Sequence, residues 1–263
     1  MNVELILQNS RTDNNCGWKI IYVISGYITA TLNSSVYKLS GESMMLVSPE
    51  DFYYVKSNKH SDYKIIEFKL KEAEDFNLKC KVLNLGYDEN QLVHTMISTE
   101  NVSQNQILLQ LLLNICEKSE DNIEPLKTEK TRLFKEVTVM MNRYIASSVS
   151  APEFADMVGI SLSTLKRVFA KYTGIGNHDY FLMLKINKAK ELMAGGYSVT
   201  QTARVFQFSS QAYFSTAFKR VRGDSAKSYS MSKGMSVTSK RNVSQKRIKT
   251  NIKPSSNLPD YLL

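Results

Sequence analysis

The chain has 263 residues, 43% of them apolar, and a formal net charge of +9. That is enough apolar material for one large core or two modest ones, and the usual domain size favours two. The charge is split: residues 1–120 carry −4 and residues 121–263 carry +13, which gives one half suited to a polyanion and one that is not. Cys16, Cys80 and Cys116 are odd in number and lack metal-ligand spacing, which argues against a disulfide framework and for a reducing cytoplasm. The first residues lack the basic start, apolar run and cleavage site of an export signal, and no stretch approaches 18 apolar residues, so neither export nor a membrane partner is expected.

From Trp18 to Leu70 the sequence alternates short β-branched and aromatic runs with turn residues: WKIIYVISG, YITATL, VYKLSG, MMLVSPED, FYYVK and YKIIEFKL. Several short strands at such spacing predict a sandwich or barrel. After residue 105 the pattern becomes helical. Ile107, Leu108, Leu111, Leu112 and Ile115 follow helical spacing, while Leu109 and Leu113 make much of that helix apolar all round. Such a helix must be covered, either by its own β domain or partly by a second subunit. Residues 121–127, DNIEPLK, are polar with a proline and read as a linker.

The rest reads as helices. Leu133, Val137, Met140, Met141, Tyr144 and Ile145 form one apolar stripe. SAPE at 150–153 is a capping box opening a helix that stops at Gly159, and another helix runs from Ser161 to Gly174. A longer one spans about 177–194. SVTQ at 198–201 is a second capping box, and the last clear helix runs from Ser210 to a stop at Gly223. The tail 231–263 has seven basic residues, one acidic residue and few large apolar ones, a composition expected to remain disordered. Such a tail can add non-specific DNA attraction or serve only solubility.

Residues 150–174 and 198–223 repeat each other. Each holds a capped helix with a central alanine (Ala155, Ala203), a turn, and a second helix with a phenylalanine near its end (Phe169, Phe218) and a closing glycine. This is the plan of a helix-turn-helix, whose second helix enters the major groove. Leu165, Val168 and Phe169 then pack inward and leave Ser163, Thr164, Lys166 and Arg167 outward. In the second copy Phe214 and Phe218 pack, leaving Gln211, Ala212, Ser215, Thr216 and Lys219 available. The intervening helix would set the two reading helices about one DNA turn apart, ~34 Å.

LSTLKRVFAKYTG, DYFLMLKINKAKELMAGGYSVTQTA and FSSQAYFSTAFKRVRG resemble the AraC/XylS family of bacterial transcription regulators over about residues 128–230. The resemblance implies base contacts from Ser163, Lys166 and Arg167 in the first unit and from Gln211, Ala212, Tyr213 and Thr216 in the second. Ser161, Thr164, Lys171, Ser209, Ser210, Ser215, Lys219 and Arg220 are the expected backbone contacts. Three positions depart from the family pattern: Gln207 stands where glycine is usual, Ala226 where proline is usual, and Thr202 where an aliphatic residue is usual. The run from Ile20 to Val55 looks like the cupin-type barrel at the N-terminus of many such regulators.

The chain is therefore expected to be α+β. Residues 1–120 would form a cupin-like β-barrel or sandwich for sensing or dimerisation, 121–127 a linker, 128–230 an all-α domain with two helix-turn-helix units, and 231–263 a basic tail. The partners implied are double-stranded promoter DNA, RNA polymerase, a second copy through the N-terminal half, and a small effector whose site periodicity does not assign. Activation of transcription is the usual outcome in the family. His60, His94 and His178 are unpaired and do not form the histidine cluster of metal-holding cupins, so no cofactor or catalysis is expected. Two rival readings are a non-specific architectural DNA protein and a cupin-type enzyme with a DNA-binding appendage.

Overall fold

The computed structural model describes residues 3–7, 17–70, 79–99, 101–119 and 122–231. Cys16 and the basic tail beyond residue 231 lie outside the described residues. Cys80 and Cys116 are free thiols.

The N-terminal half is built from β1 (Val3–Leu7), β2 (Trp18–Ser25), β3 (Tyr27–Leu32), β4 (Ser35–Ser40), β5 (Ser43–Val47), β6 (Tyr53–Ser57), β7 (Asp62–Leu70) and β8 (Lys81–Asn84). These strands pair antiparallel into two sheets, one in the order β1-β7-β2-β5-β8 and one in the order β4-β3-β6. Ile21, Val23, Met45, Val47 and Val82 of the larger sheet share one core with Ile28, Ala30, Leu32, Leu39 and Val55 of the smaller. The opposite face of the larger sheet is also covered. There Ile20, Tyr22, Met44, Ile66 and Phe68 pack with α1 (Tyr87–Ser98) and α2 (Val102–Lys118). Burial on both faces explains why residues 20–24 of β2 read as an unbroken apolar run instead of alternating.

Leu109, Leu112, Leu113 and Cys116 of α2 are buried in this core, so the domain's own sheet covers the helix. Ile107 and Leu111, which spacing alone placed on the apolar stripe, point outward and are 70% and 47% exposed. The polar segment after α2 follows the β domain closely. Asn122 bridges Leu83, the Ile123 amide donates to the Val82 carbonyl at 2.6 Å, and the Leu126 amide donates to the Val36 carbonyl at 2.7 Å.

The C-terminal half consists of α3 (Glu129–Arg143), α4 (Ala151–Met157), α5 (Leu162–Thr173), α6 (Asn177–Ala194), α7 (Val199–Val205) and α8 (Gln211–Arg222). The chain divides into two compact units. One takes the sequence up to Thr138 together with Ala155–Asn177, and the other takes Val139–Phe154 together with the sequence from His178 onward. Helix α5 thus groups with the β-rich unit, whereas α7 and α8 lie in the other. No helix among the described residues is long and apolar enough to cross a membrane.

Candidate nucleic-acid interface

Helix α5 starts where Ser161 accepts the Thr164 amide at 3.2 Å, and it ends at Gly174, whose φ of +69° stops the helix. Its Leu165, Val168, Phe169 and Tyr172 are buried. Ser163, Lys166, Arg167 and Lys171 are exposed, and Thr164 is half-buried. Their spacings of three, four and eight residues place the exposed four on one helical face. Three hydroxyls gather at the helix start, with Ser161 Oγ 2.9 Å from Ser163 Oγ and 3.0 Å from Thr164 Oγ1. The amino end of a helix carries partial positive charge and free N–H groups, so this cluster is set where an anion is favoured.

The other end of α5 is anchored to the β domain. Register pairs Thr31 of β3 with Tyr54 of β6. The Thr31 hydroxyl donates to the Tyr172 carbonyl at 2.5 Å, and the Tyr54 ring lies against Gly174 so closely that any side chain there would collide with it. Phe134 of α3 completes the contact, with ring centroids 5.3 Å from Phe169 and 5.6 Å from Tyr172. The polar face of α5 stays open while its last turn is held.

Helix α8 has the same division. Ser210 caps it by accepting the Tyr213 amide at 3.1 Å, and Gly223 closes it with φ +81°. Phe214, Ala217 and Phe218 are buried. Ser209, Ser210, Gln211, Ala212, Tyr213, Thr216, Lys219 and Arg220 are exposed, and Ser215 is half-buried. Several of these groups already have partners. Gln211 Oε1 accepts from Thr200 Oγ1 at 2.8 Å, Thr216 Oγ1 donates to the Ala212 carbonyl at 3.1 Å, and Arg220 pairs with Asp179 at 3.0 Å. The Arg220 pair is well exposed on both sides, so it is worth at most about 1 kcal/mol and yields readily to a phosphate.

Residues 154–232 match a family model described as a helix-turn-helix domain. They form a helix-turn-helix domain of the AraC type. The chain is 27% identical over 110 residues to the HTH-type transcriptional regulator RipA of Corynebacterium diphtheriae, covering 42% of this chain and 33% of RipA. It is 30% identical over 90 residues to the probable transcriptional regulator LumQ of Photobacterium leiognathi, covering 34% of this chain and 36% of LumQ. The alignments thus span about a third of the length of these relatives. Among solved structures, ToxT from Vibrio cholerae with an unsaturated fatty acid bound aligns with 88% of this chain and 94% of its own, at 16% identity and a TM-score of 0.41.

The three departures of this AraC-type domain from its family pattern have local explanations. Gln207 adopts φ +52°, the left-handed conformation for which glycine is the usual solution, and Gly159 with φ +69° occupies the matching turn of the first copy. Thr202 is fully buried, but its hydroxyl donates to the Ser198 carbonyl at 2.9 Å, so no polar group is stranded. Ala226 begins a helical turn over 226–231 that Ser225 caps by accepting the Ser228 amide at 3.0 Å. That is the first helical position, where proline is well tolerated.

Sequence reading of this AraC-type domain overlooked Lys185 of α6, which is 8% exposed. The signal was present: a lysine spaced by three and four residues from Leu182, Phe181 and Ala189, all buried. The buried Lys19–Glu67 pair across β2 and β7, 3.7 Å apart, was overlooked as well. Of the histidines, His94 Nε2 lies 3.2 Å from the buried Tyr22 hydroxyl and His178 Nδ1 lies 3.8 Å from Asp179. The described residues hold no cluster of three or more His, Cys, Asp or Glu arranged for a metal.

Proposed function

We propose that the chain is a sequence-specific DNA-binding transcription regulator whose helices α5 and α8 read two segments of the major groove. One observation carries this reading: two capped helices of the same design, each with a buried aromatic side and an exposed face of hydroxyl and basic groups. Ser163, Lys166, Arg167, Gln211, Ala212, Tyr213 and Thr216 meet base edges. Ser161, Thr164, Lys171, Ser209, Ser210, Ser215, Lys219 and Arg220 meet the sugar-phosphate backbone, where they fix position without reading sequence.

In this reading residues 128–230 bind DNA and the N-terminal β domain serves effector sensing, dimerisation or both. The protein works in the bacterial cytoplasm, contacts RNA polymerase when it activates, and catalyses no reaction. Titrating preferred and random duplexes at several salt concentrations tests the proposal. Preference for one sequence, retained at every salt concentration, is expected. Equal affinities with a steep common salt slope would instead establish the architectural reading, because phosphate contacts alone give salt dependence without preference.

A further inference from the structure

We propose that Lys185 is a positioning residue for the second reading helix: its buried ammonium straps down the turn between α7 and α8 and so sets where α8 points. Lys185 lies in α6 and is 8% exposed. Its Nζ donates to the Ser147 carbonyl at 2.8 Å and to the Phe206 carbonyl at 3.0 Å, and it sits 4.9 Å from the Phe181 ring centroid and 5.9 Å from that of Phe208. Burial lowers its pKa from the ordinary lysine value, so desolvation works against the charge here. A buried cation persists when hydrogen bonds compensate it, and two of the three ammonium donors are used on backbone carbonyls.

The choice of carbonyls gives the lysine its role. Phe206 is the residue that ends α7, at the C-terminal pole of the helix, where a cation is favoured and carbonyls lack helical partners. The next residue is Gln207, held at φ +52° without the freedom of glycine. The rings of Phe208 and Phe214 meet edge-on at 5.0 Å, and Phe208 also lies 5.8 Å from Tyr213, so the turn is joined to the first exposed residues of α8. The ammonium thus fixes the carbonyl immediately before a conformationally costly residue, in the turn that aims Gln211, Ala212 and Tyr213. Ser147 supplies the other anchor from the segment leading into α4.

This inference rests on the proposed DNA-reading role of α8, and the experiment separates the two. Full-length wild type, Lys185→Met, and Lys185→Met with Gln207→Gly are used to select duplexes from a random pool, after circular dichroism and melting show each to be folded at the working temperature. Lys185→Met is expected to lose the base preference of the block read by α8, at least tenfold against wild type, while the block read by α5 keeps its preference. Gln207→Gly, which relieves the turn, is expected to restore part of the lost preference. Two results overturn the inference: unchanged preference in Lys185→Met, or an equal loss in both blocks that Gln207→Gly leaves unrepaired. Should Lys185→Met fail to fold, Lys185→Gln, which keeps an uncharged donor, is judged by the same two patterns. A wild type that selects no sequence overturns the functional reading itself, and this inference with it.

Discussion

Arg167 and Lys219 are both exposed and basic, yet their places on α5 and α8 differ. Arg167 is in the first half of α5, where a guanidinium can form a bidentate pair with guanine O6 and N7, whereas Lys219 follows buried Phe218 late in α8 and suits the backbone. Arg167→Ala is expected to cost ~1–3 kcal/mol on the preferred duplex and to relax one base position. Lys219→Ala should weaken preferred and random duplexes alike and reduce the log-log salt slope by about one unit. Identical selection profiles for wild type and Arg167→Ala at matched salt would remove Arg167 from the base-reading set. Gln207 supports a prediction of another kind. Its positive φ costs an L-residue more than glycine, so Gln207→Gly should stabilise the protein by up to about 1 kcal/mol, whereas a lower melting temperature would show the turn to be unstrained.

The elements were legible to the degree that their own residues define them. Both boxes read from the sequence exist: Ser198 exchanges bonds with Gln201 at 3.2 and 2.9 Å, and Glu153 accepts from the Ser150 amide at 2.7 Å. Helix α1 was missed because it begins at Gly86 without a side-chain cap and buries only Asn90, Val93 and Met96, too sparse a stripe to announce a helix. The outward turn of Ile107 and Leu111 was hidden for the opposite reason, since α2 has more apolar positions than one face can use. Ser198→Ala should cost ~1 kcal/mol, read as a lower denaturation midpoint. The bonds from Ser150 hold the Glu153 carboxyl below its ordinary pKa. Its contribution to stability is therefore present above the ordinary carboxylate range and is lost as pH falls through the depressed value. Glu153→Gln should abolish that part of the acid limb of a melting-temperature profile, and superimposable profiles would contradict the box.

At the scale of the whole molecule, the anchoring of α5 was the feature least visible in the sequence. The Thr31 hydroxyl and the Tyr172 carbonyl are 141 positions apart, and Thr31 lies outside every helix-turn-helix motif. Thr31→Val keeps the shape but leaves a buried carbonyl without its donor, a loss of ~1–3 kcal/mol. It should lower the melting temperature and loosen the base preference of the α5 block more than that of the α8 block. A fragment of residues 128–230, which lacks Thr31 and Tyr54, should bind DNA with the same bias toward the α8 block. The central claim is that one chain reads two major-groove segments with two helices, and selection of bound duplexes from a random pool by the full-length protein tests it most directly. The account predicts two separate blocks of preferred bases, one degraded by Arg167→Ala and the other by Gln211→Ala. A single block, or selection of no sequence at all, would contradict it.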